Sequence, residues 1–193
     1  MFETPNVIPV TVTVAIVIFV ARELLESRRR RLANKRKLAA IRTQLAAECE
    51  RTNWAIRWIR RAITDMRSAF ERGKVVEVKK TALGANRLVF RTIDGQSSSS
   101  VFPKAHSTII DKYLFEVASF DAPLFGLMVN ALEGVAELNH VLDSLLDYIG
   151  EKDQPWLEGW CDYASKEVGD SEEPILYLYE SCTGKPLTTT RLR

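Results

Sequence analysis

The chain has 193 residues, 46% of them apolar and 27% charged, with Lys and Arg exceeding Asp and Glu by a net charge of +2. That length suffices for one compact domain with an extension, and so apolar a composition excludes a disordered tail. Three cysteines without Cys-x-x-Cys spacing and only two histidines, His106 and His140, exclude a disulfide framework and a structural zinc site.

The N-terminal region carries the sharpest contrast. An apolar run from Val7 to Ala21 is followed by Arg22, Arg28, Arg29, Arg30, Arg31, Lys35, Arg36 and Lys37. Fifteen helical residues cover about 22 Å of a hydrocarbon core about 30 Å thick. Including Leu24 and Leu25, with Arg22 snorkelling, lengthens the span to roughly 28 Å. The expectation is a single-pass transmembrane anchor over residues 1–25, with the N-terminus outside and the C-terminal domain cytoplasmic by the positive-inside rule. A basic juxtamembrane stalk over 22–44 follows, whose Arg22, Arg28, Arg29, Arg30 and Arg31 are candidates for lipid headgroups.

No Pro or Gly interrupts the chain between Val10 and Phe70, so one long helix is predicted to about Arg72, ended by Gly73. Leu45, Cys49, Thr52, Ile56, Ile59, Ile63, Met66 and Phe70 recur in steps of four and three, an a/d seam that calls for a helical partner in the same chain or in another copy. Trp54, Arg57, Trp58 and Arg61 lie roughly opposite the seam, and Trp and Arg are enriched at binding hot spots, so these four are the candidate partner-binding residues. A basic, Trp-bearing face also suits a membrane surface or single-stranded nucleic acid, and a helix covered on both sides by its own domain is the preferred structural reading.

Two short strands, Lys74–Lys79 and Arg87–Ile93, are predicted as a hairpin around Gly84, Ala85 and Asn86. Asp94–Ser100, with four consecutive serines, reads as a flexible connector rather than a phosphate loop, because it lacks the Gly spacing and the Lys. A helix is predicted from about Ser107 to Phe120. The apolar positions from Leu124 to Ile149 then form an amphipathic helix whose opposite face carries Glu133, Glu137, His140, Asp147 and Glu151. Asn139, at the edge of the stripe, is expected to satisfy a backbone group. Beyond it, Trp156, Trp160 and Tyr163 suit one short helical face, Asp170–Pro174 reads as an acidic break, Ile175–Tyr179 as a strand or packed turn, and residues 183–193 as a flexible tail.

The expected fold class is therefore mainly α with a small β-hairpin, the long basic helix packing on an amphipathic C-terminal region and residues 45–182 forming a mostly helical cytoplasmic domain. Charge divides the chain: residues 22–91 balance to +13 and residues 92–193 to −10. Attraction within or between chains follows, and nucleic acid is not an expected partner, because the acidic half opposes a phosphate backbone. No nucleophile, base and orienting group fall into a catalytic pattern, and no cofactor, metal or small-molecule substrate is expected. The functional expectation is a membrane-anchored interaction or scaffold module that meets lipids and recruits a protein partner or further copies of itself; the alternative is a self-assembling effector that perturbs the bilayer.

Overall fold

The computed structural model describes residues 10–72, 74–91, 94–150 and 154–188. In chain order the elements are α1 (Val10–Glu71), β1 (Val75–Lys80), β2 (Asn86–Arg91), β3 (Ser97–Val101), α2 (Thr108–Ala118), α3 (Ala122–Gly150) and α4 (Gln154–Thr183). The protein is mainly helical with one small antiparallel sheet. It divides into two compact units, residues 1–41 and 42–193.

In the first unit the described residues are helical throughout. Val12, Val14, Ile16, Val17, Ile18, Phe19, Val20, Leu24, Leu25 and Leu32 are all exposed. Glu26 and Arg30, one turn apart, form an ion pair on the surface.

The second unit has a continuous core. The seam residues Leu45, Cys49, Thr52, Ile56, Ile59, Ile63 and Met66 are buried inside this one chain, so the seam packs within the protein's own fold. Facing stripes come from α3, with Leu124, Met128, Val135, Leu138, Leu142 and Leu145 buried, and from α4, with Leu157, Trp160, Val168, Ile175 and Leu178 buried. Full burial of one such side chain stabilises the fold by about 1.5–3 kcal/mol. Three ion pairs, the part-buried Arg42–Asp121 at 3.0 Å and the more exposed Arg60–Glu172 at 2.6 Å and Arg67–Asp162 at 2.7 Å, join the basic half to the acidic half within the chain. Each contributes at most about 1 kcal/mol, so burial dominates. Gly134 of α3 leaves room for the α4 backbone: a Cβ there would lie 3.0 Å from the Ser171 carbonyl oxygen.

The sheet has the order β1-β2-β3. The predicted hairpin is present, with Lys80 paired to Asn86 and Val75 to Arg91. Its turn is closed by Thr81 N–H donating to Ala85 O at 2.8 Å, and Gly84 takes a left-handed φ of 78°.

Four expectations need correction. First, no helix among the described residues is long and apolar enough to cross a membrane. The described apolar stretch, Val10 to Ala21, is helical but covers only about 18 Å. Glu23 and Glu26 then follow Arg22, and their short acidic side chains do not snorkel as Arg does. The single-pass anchor, and the outside/cytoplasmic orientation built on it, are not supported; Val7, Ile8 and Pro9 lie outside the described residues. Second, Ser97–Ser100 is no connector. These residues pair with β2 in register, Ser100 with Leu88 and Ser98 with Phe90. Leu88, Val89 and Phe90 are buried in succession, so β2 is a central strand whose backbone groups need a neighbour on each edge. Third, α4 continues through the acidic segment and Pro174 instead of breaking there, and Ile175–Tyr179 is helical. An interior proline costs about 3 kcal/mol, which the burial of Val168, Ser171, Ile175 and Leu178 on one face offsets. Fourth, α4 reaches Thr183, the first residue of the expected tail, and Gly184 follows at a left-handed φ of 69°. The expected roles of Gly73, Thr92, Ile93 and Glu151 fall outside the described residues, as do residues 189–193 of the tail.

Candidate partner-binding face

Helix α1 carries both sets of candidate residues. Arg22, Arg28, Arg29, Arg30 and Arg31, in the first unit, are all exposed, and Arg30 is engaged by Glu26.

The other four, Trp54, Arg57, Trp58 and Arg61, lie on the second unit. Trp54 is 50% exposed, Arg61 is exposed, and Arg57 and Trp58 are half-buried. Trp58 is covered by Phe102, just beyond β3, with ring centroids 5.0 Å apart and planes tilted by 46°. The fold therefore covers Trp58 and leaves Trp54 in solvent. Among the described residues Arg57 and Arg61 form no ion pair, whereas Arg42, Arg60 and Arg67 of the same helix each hold a carboxylate of α3 or α4 or of the turn before them.

Further along the same side, at steps of three and four from Arg61, come Asp65, Ser68 and Arg72. With Ala69, Lys74, Phe90 and Ser98 they line a half-open cleft of about 160 Å³. Phe102, Phe90 and Ser98 were not foreseen in this site. The serine run that supplies Ser98 carries no alternation of apolar and polar residues, the usual signal of a strand.

Several buried or half-buried polar side chains hydrogen-bond within the fold. Asn139 donates through Nδ2 to Ala105 O at 2.9 Å and accepts from Ala105 N–H at 3.2 Å, the backbone role expected of it. Glu48, 2% exposed, accepts from the N–H groups of Ile109 and Ile110 at 3.0 Å, capping α2 from a helix distant in sequence. Tyr163 donates to Glu137 at 2.8 Å, and His140 stands edge-on to the Tyr163 ring. Among the described residues no cluster of His, Cys, Asp and Glu is disposed to hold a metal ion. Cys49 and Cys161 are buried and Cys182 half-buried, in keeping with apolar fillers. Burial pushes the Cys161 and Cys182 thiols up to about 11 and raises that of Cys49 further, so all three are weak nucleophiles at neutral pH. Burial and the hydrogen bond to Glu50 also raise the Tyr179 phenol. Comparison of the chain with protein-family models, with curated proteins and with solved structures returns no match.

Proposed function

We propose that the chain is a protein-interaction module that docks its partner on the outer side of α1 from Trp54 to Arg61. One observation carries this reading: Trp54 stands half in solvent beside two arginines that have no ionic partner among the described residues, while three neighbouring arginines are neutralised by the protein's own acids. An exposed indole offers a large rigid apolar contact, and the guanidinium groups add hydrogen bonds of fixed geometry. The complementary partner presents carboxylates around an apolar socket.

Photo-crosslinking in the native host tests this directly. A benzoyl-phenylalanine at position 54 is expected to capture a discrete partner that the same probe at Tyr177, an equally exposed site on α4, does not. Arg57→Glu with Arg61→Glu abolishes the capture. Identical products from both positions, or none from position 54, refute the reading.

A further inference from the structure

We propose that the outer edge of β3 takes up an extended, acidic segment of a protein partner as a fourth strand of the sheet. The sheet alone carries this proposal, independently of the Trp54 face. Phe102 N–H donates to Asn86 O at 3.0 Å, which makes residues 86 and 102 a hydrogen-bonded pair continuing the β2–β3 ladder. Such pairs alternate along antiparallel strands, so Leu88–Ser100 and Phe90–Ser98 are hydrogen-bonded as well. The N–H and C=O groups of Ser98 and Ser100 therefore face β2. Those of Ser97, Ser99 and Val101 face outward, a row of backbone donors and acceptors that another strand can match.

Edges of natural sheets are usually protected by charged side chains, proline or a bulge. At the opposite edge β1 carries Glu77, Lys79 and Lys80. From Ser97 to Val101 there is no charge and no proline, and the register with β2 runs unbroken. Ser97, Ser99 and Val101 are all exposed, and the small serine side chains let a neighbouring backbone approach to the ~4.8 Å of a ladder. The occupant is thus an extended chain, because a helix uses its own backbone groups internally.

Charge gives the composition of that chain. An incoming residue opposite Ser98 lies on the same face as Ser98, the face of the half-open cleft that Asp65, Arg72 and Lys74 also line. On the other face Val101 is in register with Arg87 and Ser97 with Arg91. Glu77 holds Arg91 at 3.1 Å, whereas Arg72, Lys74 and Arg87 form no ion pair among the described residues. These three cations outnumber Asp65 and the loop residue Asp94, so the edge favours a strand with carboxylates on alternate residues and opposes one with lysines there.

Fluorescence anisotropy of a fluorescein-labelled heptapeptide of alternating glutamate and valine, titrated with the full chain, tests this. Saturable binding is expected, at least about 10-fold tighter than that of the heptapeptide with lysine in place of glutamate. Methylating the backbone nitrogens of one alternate set of peptide residues weakens binding at least about 10-fold, and methylating the other set leaves it within about twofold, because only one set turns its N–H groups to β3. Ser99→Pro removes an outward N–H without touching the β2 ladder, and weakens binding at least about 10-fold with an unchanged far-UV circular dichroism spectrum. Ser99→Ala keeps the backbone and leaves the affinity as it was. No binding of the glutamate peptide, equal binding of the lysine peptide, equal effects of the two methylated sets, or full affinity in Ser99→Pro each overturns the proposal. So does a dimeric wild type that Ser99→Pro converts to monomer, since a second copy of β3 then occupies the edge.

Discussion

Glu48 offers the sharpest test of how this fold is held together. Its carboxylate is 2% exposed and receives the N–H groups of Ile109 at 3.0 and 3.1 Å and of Ile110 at 3.0 Å, the second and third residues of α2. Those donors would ordinarily be satisfied by the residue at the N-cap. Ser107 occupies that place but makes no capping bond; its hydroxyl donates to Asp111 at 2.7 Å instead. Removing the carboxylate in Glu48→Ala leaves two N–H groups without an acceptor, Ile110 being fully buried. Each such orphan costs about 1–3 kcal/mol, and loss of the negative charge at a helix N-terminus adds about 0.3–1 kcal/mol. The expected loss is therefore about 3–4 kcal/mol, a fall in Tm of roughly 6–16 °C for a unit of this size. Glu48→Gln keeps the shape and one acceptor but gives up the charge, and should cost about 2 kcal/mol. Ser107→Ala, which a propensity argument ranks as the costly change, should cost below about 0.5 kcal/mol. Urea unfolding followed by circular dichroism reads all three, with an unchanged m-value required for the comparison. A Glu48→Ala loss under about 1 kcal/mol, or Ser107→Ala more harmful than Glu48→Ala, would refute the assignment of the cap.

Gly134→Ala should destabilise by about 1–3 kcal/mol, because the added Cβ meets backbone at 3.0 Å, whereas Gly126→Ala and Gly159→Ala, with open space around them, should stabilise their helices by about 0.5–1 kcal/mol; thermal melts separate the two groups. Asn139→Ala removes both hydrogen bonds to Ala105 and should cost about 2 kcal/mol by urea titration, while a loss near zero would show that water replaces the side chain. Trp58→Ala should lower stability through its lost packing on Phe102, and Trp54→Ala should leave stability within about 0.5 kcal/mol while weakening partner binding at least about 30-fold. The thiols give a pH signature. In the fold Cys161 and Cys182 stay neutral up to about pH 11, against 9.0 ordinarily, so the stability they support is complete below pH 9 and is lost as the pH rises towards 11. The urea midpoint should fall across that window, and Cys161→Ala should flatten the decline.

The candidate face was legible in part. Spacing alone placed Trp54, Arg57, Trp58 and Arg61 together, but the division between them, Trp58 under Phe102 and Trp54 in solvent, depends on a residue 44 positions further along the chain. Which arginines remain available was equally hidden. Arg57, Arg60 and Arg61 are near neighbours in sequence, and only the path of α4 selects Arg60 for Glu172.

By itself the sequence determined the elements that rest on periodicity and on backbone punctuation. The uninterrupted run from Val10, the seam from Leu45 to Met66, the stripe from Leu124 and the turn at Gly84 are local patterns, in which spacing of 3.6 or a left-handed glycine has one stable outcome. Tertiary structure decided the cases where local preference and packing disagree. Ser97–Ser100 has no strand pattern of its own and becomes a strand because β2 has backbone groups to satisfy on that edge. Pro174 should stop a helix, and α4 passes through it because apolar and small side chains on both sides are buried together. The cap of α2 comes from Glu48, about sixty residues away, since a buried carboxylate is stable only where donors converge on it. In each case the deciding free energy arises from contacts between residues far apart in the chain, which no local window contains.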